Sequence, residues 1–173
     1  TLGQWLNLLS LVFLSNILFN LVSGMVADTL GHRFVVSVFG GIGGFIAIPL
    51  FYYVPLWYPG NFWAAAVVGI FYGATVAAFV PLSGLMPQIC PREKAAALSV
   101  LGLGAGASTW VGPAIVTLCE AVFGPGLQYV IWAFAGIYLA SAGMTMYLTI
   151  SPEARKYTEE ADRRGETSAV IGH

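Results

Sequence analysis

The chain has 173 residues, of which 58 % are hydrophobic and 9 % charged, whereas an ordinary soluble domain is roughly 25 % charged. So few charges cannot cover the surface of a soluble fold of this size, and a formal net charge of −1 offers no basic field for nucleic acid. The same figures, with only 2 Cys, exclude disorder, collagen and a secreted disulfide scaffold.

The positions of the charges define the elements. Nine of the 15 charged residues (7 Lys+Arg and 8 Asp+Glu) lie between Glu153 and Glu166, and only Asp28, Arg33, Arg92, Glu93, Lys94 and Glu120 precede them. Stretches 1–27, 34–91, 95–119 and 121–152 carry no charge. A helix needs about 20 mostly apolar residues to cross a bilayer core, so each stretch holds one crossing, except the second, which holds two. Pro55, Pro59, Gly60 and Asn61 place a turn in its middle. The chain therefore reads as an all-α integral membrane protein over residues 1–150, with crossings at about 4–26, 34–55, 62–85, 95–118 and 127–149. The runs are continuous rather than alternating, against a β-barrel. A polar tail, 151–173, follows, with helix expected around Glu153–Glu166.

Crossing one, 4–26, carries Asn7, Asn16 and Asn20. Three amides in an apolar helix are costly unless they face protein or water. Asn16 and Asn20 share a face, four residues apart; Asn7, nine before Asn16, points elsewhere. Asn16 stands near the bilayer centre, where its amide, donor and acceptor at once, either faces a polar partner in a water-filled space or bonds a neighbouring helix. Both readings stay open for Asn16; for Asn20 the interhelical bond is favoured.

The turn into crossing two reads Gly24-Met25-Val26-Ala27-Asp28-Thr29-Leu30-Gly31-His32-Arg33. Gly24 allows close approach of a helix, Asp28 suits the positive N-terminal end of another helix, Gly31 permits the sharp turn, and Arg33 is the cation of the turn. Further on, Gly40–Gly44, Gly69–Gly73 and Gly102–Gly106 each form a Gly-x-x-x-Gly face for helix contact. Pro49, Pro81 and Pro113 each invite a bend. Trp57, Tyr58, Trp63 and Trp132 read as interfacial or packing residues.

Every basic residue follows an odd-numbered crossing: Arg33 after the first, Arg92 and Lys94 after the third, Arg155, Lys156, Arg163 and Arg164 after the fifth. By the positive-inside rule that side is cytoplasmic, so the C-terminus faces the cytoplasm of a cell-membrane protein. Cys90 and Cys119 are then expected at opposite faces, too far apart to pair. No nucleophile–base pair, phosphate loop or metal constellation occurs in the sequence, so neither an enzyme nor a cofactor is expected.

Gly24, Ala27, Asp28, Gly31 and Arg33 resemble the Gly-x-Leu-Ala-Asp-x-x-Gly-Arg-Lys signature of the major facilitator superfamily, with Val26 in place of Leu and His32 in place of Arg. In that family the signature follows helix 2, and a looser copy follows helix 8. The tail after crossing five favours helices 8–12, as does the lack of an Arg in crossing three. Gly112-Pro113 keeps only a fragment of the antiporter pattern Gly-x-x-x-Gly-Pro-x-x-Gly-Gly, because Ser108 stands at its first Gly. The resemblance implies five helices of a C-terminal six-helix bundle, completed by N-terminal helices absent from this sequence. A closer likeness is to the bacterial polyol permeases. It runs through Phe39-Gly40-Gly41-Ile42-Gly43, Tyr52-Tyr53-Val54-Pro55, Val80-Pro81-Leu82-Ser83, Lys94-Ala95-Ala96-Ala97-Leu98-Ser99-Val100-Leu101 and Val111-Gly112-Pro113-Ala114. It implies alternating-access uptake of a sugar alcohol with proton symport. Crossings one, three and four would line the cavity with Asn7, Asn16, Tyr72, Thr75, Ser108 and Trp110, and Gly24, Asp28, Gly31 and Arg33 would form the gating motif. A carrier of a drug or organic acid and a non-transporting membrane subunit are the alternatives.

Overall fold

The computed structural model describes residues 2–147 together with Lys156, Glu160 and Arg163. Five helices among them are long and apolar enough to cross a membrane: α1 (Leu2–Leu30), α2 (His32–Trp57), α3 (Phe62–Ile89), α4 (Lys94–Phe123) and α5 (Leu127–Tyr147). No strand occurs among the described residues, and the expectation of an all-α membrane fold with five crossings holds. Such runs form helices in lipid because only a helix satisfies its own backbone polar groups where no water is present. The tail expected to be helical around Glu153–Glu166 lies outside the described residues, apart from the helical and exposed Lys156, Glu160 and Arg163.

Glycines and one amide set the boundaries. Gly31, at φ 93°, closes α1 and opens α2, and Gly124, at φ 83°, ends α4; both angles favour a residue without Cβ. Asn61 caps α3 by accepting from the Ala64 N–H at 3.2 Å. Only one of the three expected proline bends coincides with a break. α2 runs through Pro49 and α4 through Pro113 as continuous helix. At Pro81, α3 gives way to turns over Ala78–Pro81 before resuming at Leu82–Ile89. There the N–H groups of Ala78, Phe79 and Val80 bond three residues back, to Thr75, Val76 and Ala77. This tightened stretch supplies the backbone partners that a proline cannot.

Four helices pack in the order α1, α3, α2, α5. α1 lies along α3, α3 along α2, and α2 along α5, with α2 wound as a π-helix over Val35–Ile42. The contacts use glycine and small polar residues, as expected where lipid removes any hydrophobic drive between helices. A methyl on Gly41 would overlap Ala142 of α5, and one on Gly44 would overlap the Tyr138 ring. The Ser37 hydroxyl, fully buried, donates to the Ala142 carbonyl at 2.8 Å.

α4 differs. It meets the Leu82–Ile89 part of α3 and α5, and Cys119 is its only buried residue. No described atom lies within 4 Å of a Cβ placed on Gly102 or Gly106. The first two Gly-x-x-x-Gly pairs thus pack as expected, while the third is open. A spacing of four places two glycines on one face but does not supply a neighbouring helix.

Candidate functional site

The polar residues of α1 meet α3 along a single seam. Ser15 Oγ donates to the Ile70 carbonyl at 2.7 Å, Asn16 Nδ2 to the Gly73 carbonyl at 3.3 Å, and Ser23 Oγ to the Ala77 carbonyl at 3.0 Å. Gly73 makes this possible: a Cβ there would collide with the Val12 carbonyl oxygen and lie 3.1 Å from Ser15 Oγ. The two backbones approach closely enough for side chains of α1 to reach carbonyls of α3. Asn16 therefore makes the interhelical bond, through its NH₂ group, and its side chain is half-buried. One turn on, Asn20 Oδ1 is buried with no hydrogen-bond partner. The sequence favoured a helix bond for Asn20; the geometry assigns that bond to Asn16 and leaves the Asn20 acceptor unmatched. A buried unmatched acceptor costs about 1–3 kcal/mol and calls for a donor.

Tyr72 and Thr75 lie on the other side of α3. The Tyr72 ring stacks on Phe51 of α2 at 5.5 Å between centroids. Tyr138 lies in the slot left by Gly44 and meets Phe79 edge-on at 5.7 Å. Thr75 is buried, its hydroxyl donating to the Tyr72 carbonyl at 2.8 Å and its methyl filling the space over Gly43. The structure thus brings Asn16, Tyr72 and Thr75 onto neighbouring turns of α1 and α3, with Tyr72 and Thr75 turned toward α2 and α5.

The remaining candidates stand apart. Asn7 is exposed on α1. Ser108, its hydroxyl bonded to its own helix at the Ala105 carbonyl, and Trp110, 83 % exposed, lie on α4. α4 does not pack along α1, so these two are not brought together with Asn16.

In the charged turn, Asp28 is exposed and lies 3.8 Å from His32 Nε2. The imidazole rests in the space over Gly84 of α3, where a Cβ would come within 2.9 Å of it. Gly31 makes the turn as expected. No described atom lies within 4 Å of a Cβ on Gly24, so the helix approach expected there does not occur among the described residues. Arg33 is half-buried, and its Nη2 has no hydrogen-bond partner. Gly84, Tyr138 and Ser37 went unremarked in the sequence. Each acts through a residue distant in the chain, and none carries a local signal. Among the described residues no group of His, Cys, Asp and Glu could hold a metal ion.

Residues 1–171 match the Major Facilitator Superfamily. The chain is 41 % identical over 161 residues to the alpha-ketoglutarate permease of Bacillus subtilis (strain 168), covering 92 % of this chain and 37 % of the permease. It is 31 % identical over 161 residues to the D-arabinitol transporter of Klebsiella pneumoniae, covering 93 % and 37 % of the two chains. With the ribitol transporter of the same organism the identity is 35 % over 139 residues, 80 % and 32 % of the two. The chain spans about a third of the length of these curated relatives. No solved structure matches it. Five apolar helices, a charged turn closed by Gly31 and a match across nearly the whole sequence agree: this multi-pass membrane chain belongs to the major facilitator superfamily.

Proposed function

We propose that this chain supplies helices 8–12 of a secondary transporter that takes up a sugar alcohol by alternating access, coupled to protons, in the cell membrane with its C-terminus in the cytoplasm. The observation that carries the proposal is the amide pair on α1: Asn16 held against Gly73, and Asn20 with a buried acceptor lacking a donor. A polyol presents hydroxyls that donate and accept in turn, and neutral amides match both without the desolvation cost of a charge. Between the end turns, the five helices carry no Lys or Arg to neutralise a carboxylate.

In this reading Asn16 is the first contact. Tyr72 and Thr75 shape the wall behind it, and Asn7, Ser108 and Trp110 join once α4 closes toward α1. Asp28, Gly24, Gly31 and Arg33 form the gate at the cytoplasmic turn. The coupling carboxylate comes from helices outside this sequence, since Asp28 and Glu120, the carboxylates of α1 and α4, lie in the last turns of those helices.

A second reading, uptake of a dicarboxylate, is favoured by one observation: identity to the alpha-ketoglutarate permease is 41 %, against 31 % and 35 % for the two polyol transporters. In that case the cations come from outside α1–α5. Uptake of radiolabelled ribitol, D-arabinitol and α-ketoglutarate by cells expressing the intact transporter separates the two. Asn16→Leu is expected to raise KM for the polyol roughly tenfold, the value of one well-made hydrogen bond to a desolvated partner. Uptake of α-ketoglutarate alone refutes the polyol assignment.

A further inference from the structure

At the end of the bundle opposite the charged turn, the first turns of α1 meet the turn between α2 and α3 around a hollow of about 240 Å³. Pockets for drug-sized molecules run to about 300–1,000 Å³, so this one suits a single small solute rather than a peptide. Local rules set its walls. Gly60, at φ 82°, reverses the chain, and the Asn61 N–H donates to the Tyr58 carbonyl at 3.2 Å, which fixes Tyr58 on one rim. Asn61 Oδ1 accepts from the Ala64 N–H, which leaves the NH₂ group as that amide's donor to the hollow. Gln4 and Trp5 of α1 form the other rim. Leu8, buried against Gly69 of α3, lies beneath, and Phe62 and Ala65 complete the wall.

The lining defines the occupant. Trp5 is 51 % and Tyr58 59 % exposed, so aromatic surface stays open to a solute. Rings of an interfacial belt stand around helix ends; here rings from two segments more than fifty residues apart share one hollow. Ring faces carry negative charge and attract the C–H groups of a solute. Gln4, Asn61, the Tyr58 hydroxyl and the Trp5 indole N–H add neutral donors and acceptors. The stretches 1–27 and 34–91 contain the whole lining and carry no charge, so an anion finds no cation there and a cation no carboxylate. A neutral molecule that alternates C–H and hydroxyl groups matches both the rings and the amides.

We propose that this hollow is a capture site for a neutral polyhydroxylated solute at the outer mouth of the transporter. Its outward placement and the choice of a polyol as probe rest on the function proposed above. Trp5 precedes Asn16 by eleven residues, about 16 Å along α1, too far for one small polyol to touch both. Neither Asn16 nor Asn20 lines the hollow.

The test is fluorine NMR of the intact transporter, labelled with 5-fluorotryptophan and purified in a mild detergent. The Trp5 resonance is identified by its loss in Trp5→Phe. Ribitol is expected to shift it saturably, and α-ketoglutarate and tetramethylammonium to leave it in place. Tyr58→Leu keeps an apolar side chain at the interface and removes the ring; it is expected to raise half-saturating ribitol about fivefold. Ala65→Phe fills the hollow from α3 and is expected to abolish the shift. Unchanged positions of the other fluorine resonances show that each variant folds. Asn16→Leu is expected to leave the Trp5 shift intact, which separates this site from the amide seam. No saturable shift overturns the proposal, as happens if another helix of the transporter fills the hollow. A shift that survives both Tyr58→Leu and Ala65→Phe, that vanishes in Asn16→Leu, or that either charged probe produces equally also overturns it. Uptake reads the polyol assignment separately. Transport of α-ketoglutarate alone, with an intact ribitol shift, removes that assignment and keeps this site; ribitol transport with no shift does the reverse.

Discussion

Gly73→Ala tests the seam on which the site rests. The added methyl would collide with the Val12 carbonyl oxygen and come within 3.1 Å of Ser15 Oγ. Backbone cannot give way as a flexible side chain does, so α1 must move off α3. Overpacking of this kind costs about 1–3 kcal/mol. Separation also breaks the bonds of Ser15 to Ile70 and of Asn16 to Gly73, each worth roughly 0.6 kcal/mol in a membrane protein. Against this, alanine favours the helix over glycine by about 0.8–1.0 kcal/mol. The net loss is about 1–3 kcal/mol, which lowers the melting temperature by roughly 2–12 °C on the scale for chains of 150–250 residues. The assay is thermal unfolding of purified wild-type and variant protein in the same detergent, followed by size-exclusion fluorescence. Gly3→Ala is the control, since no described atom lies within 4 Å of a Cβ there; its melting temperature is expected to stay level or rise slightly. A Gly73→Ala protein as stable as the Gly3→Ala control would refute the close approach of α1 to α3, and with it the amide arrangement.

Tyr138→Ala should empty the slot over Gly44 and remove the edge contact with Phe79, a loss of about 3–5 kcal/mol measured by the same melting assay. Tyr138→Phe keeps the ring and its contacts with Gly44 and Phe79 and removes only the hydroxyl, so its effect should stay near 1 kcal/mol or below. Ser37→Ala removes the donor to the Ala142 carbonyl and is expected to cost about 0.5–1.5 kcal/mol, seen as a small fall in melting temperature. Asp28→Asn should slow uptake by the intact transporter without reducing its amount in the membrane; unchanged initial rates would contradict a gating role. Single cysteines placed at positions 33 and 155 in a background lacking Cys90 and Cys119 should both label only from the cytoplasmic side, and labelling from opposite sides would break the five-crossing topology.

Much of this protein is legible in one dimension because lipid imposes a one-dimensional rule. Charge is excluded from the hydrocarbon over some 20 residues at a time, so the four stretches bounded by Asp28, Arg33, the Arg92–Lys94 cluster, Glu120 and Glu153, the longest divided by the turn at Pro55–Asn61, already define five rods. The turn at Gly31 is equally local, since it depends on a backbone angle that one residue type adopts freely. Pairwise choices were not legible. Nothing in the spacing separates Gly73, pressed against α1, from Gly102, which faces no described atom. Asn16 and Asn20 carry the same side chain on the same face, yet one bonds Gly73 and the other is left with a bare oxygen. Tyr138 gains its place only because Gly44, more than ninety residues earlier, leaves a slot for its ring. Crossing the membrane is a property of each segment with its solvent, so composition along the chain determines it. Which glycine receives a neighbour, which amide finds a carbonyl and where a hollow remains open are properties of pairs of helices, and these exist only once the rods have packed.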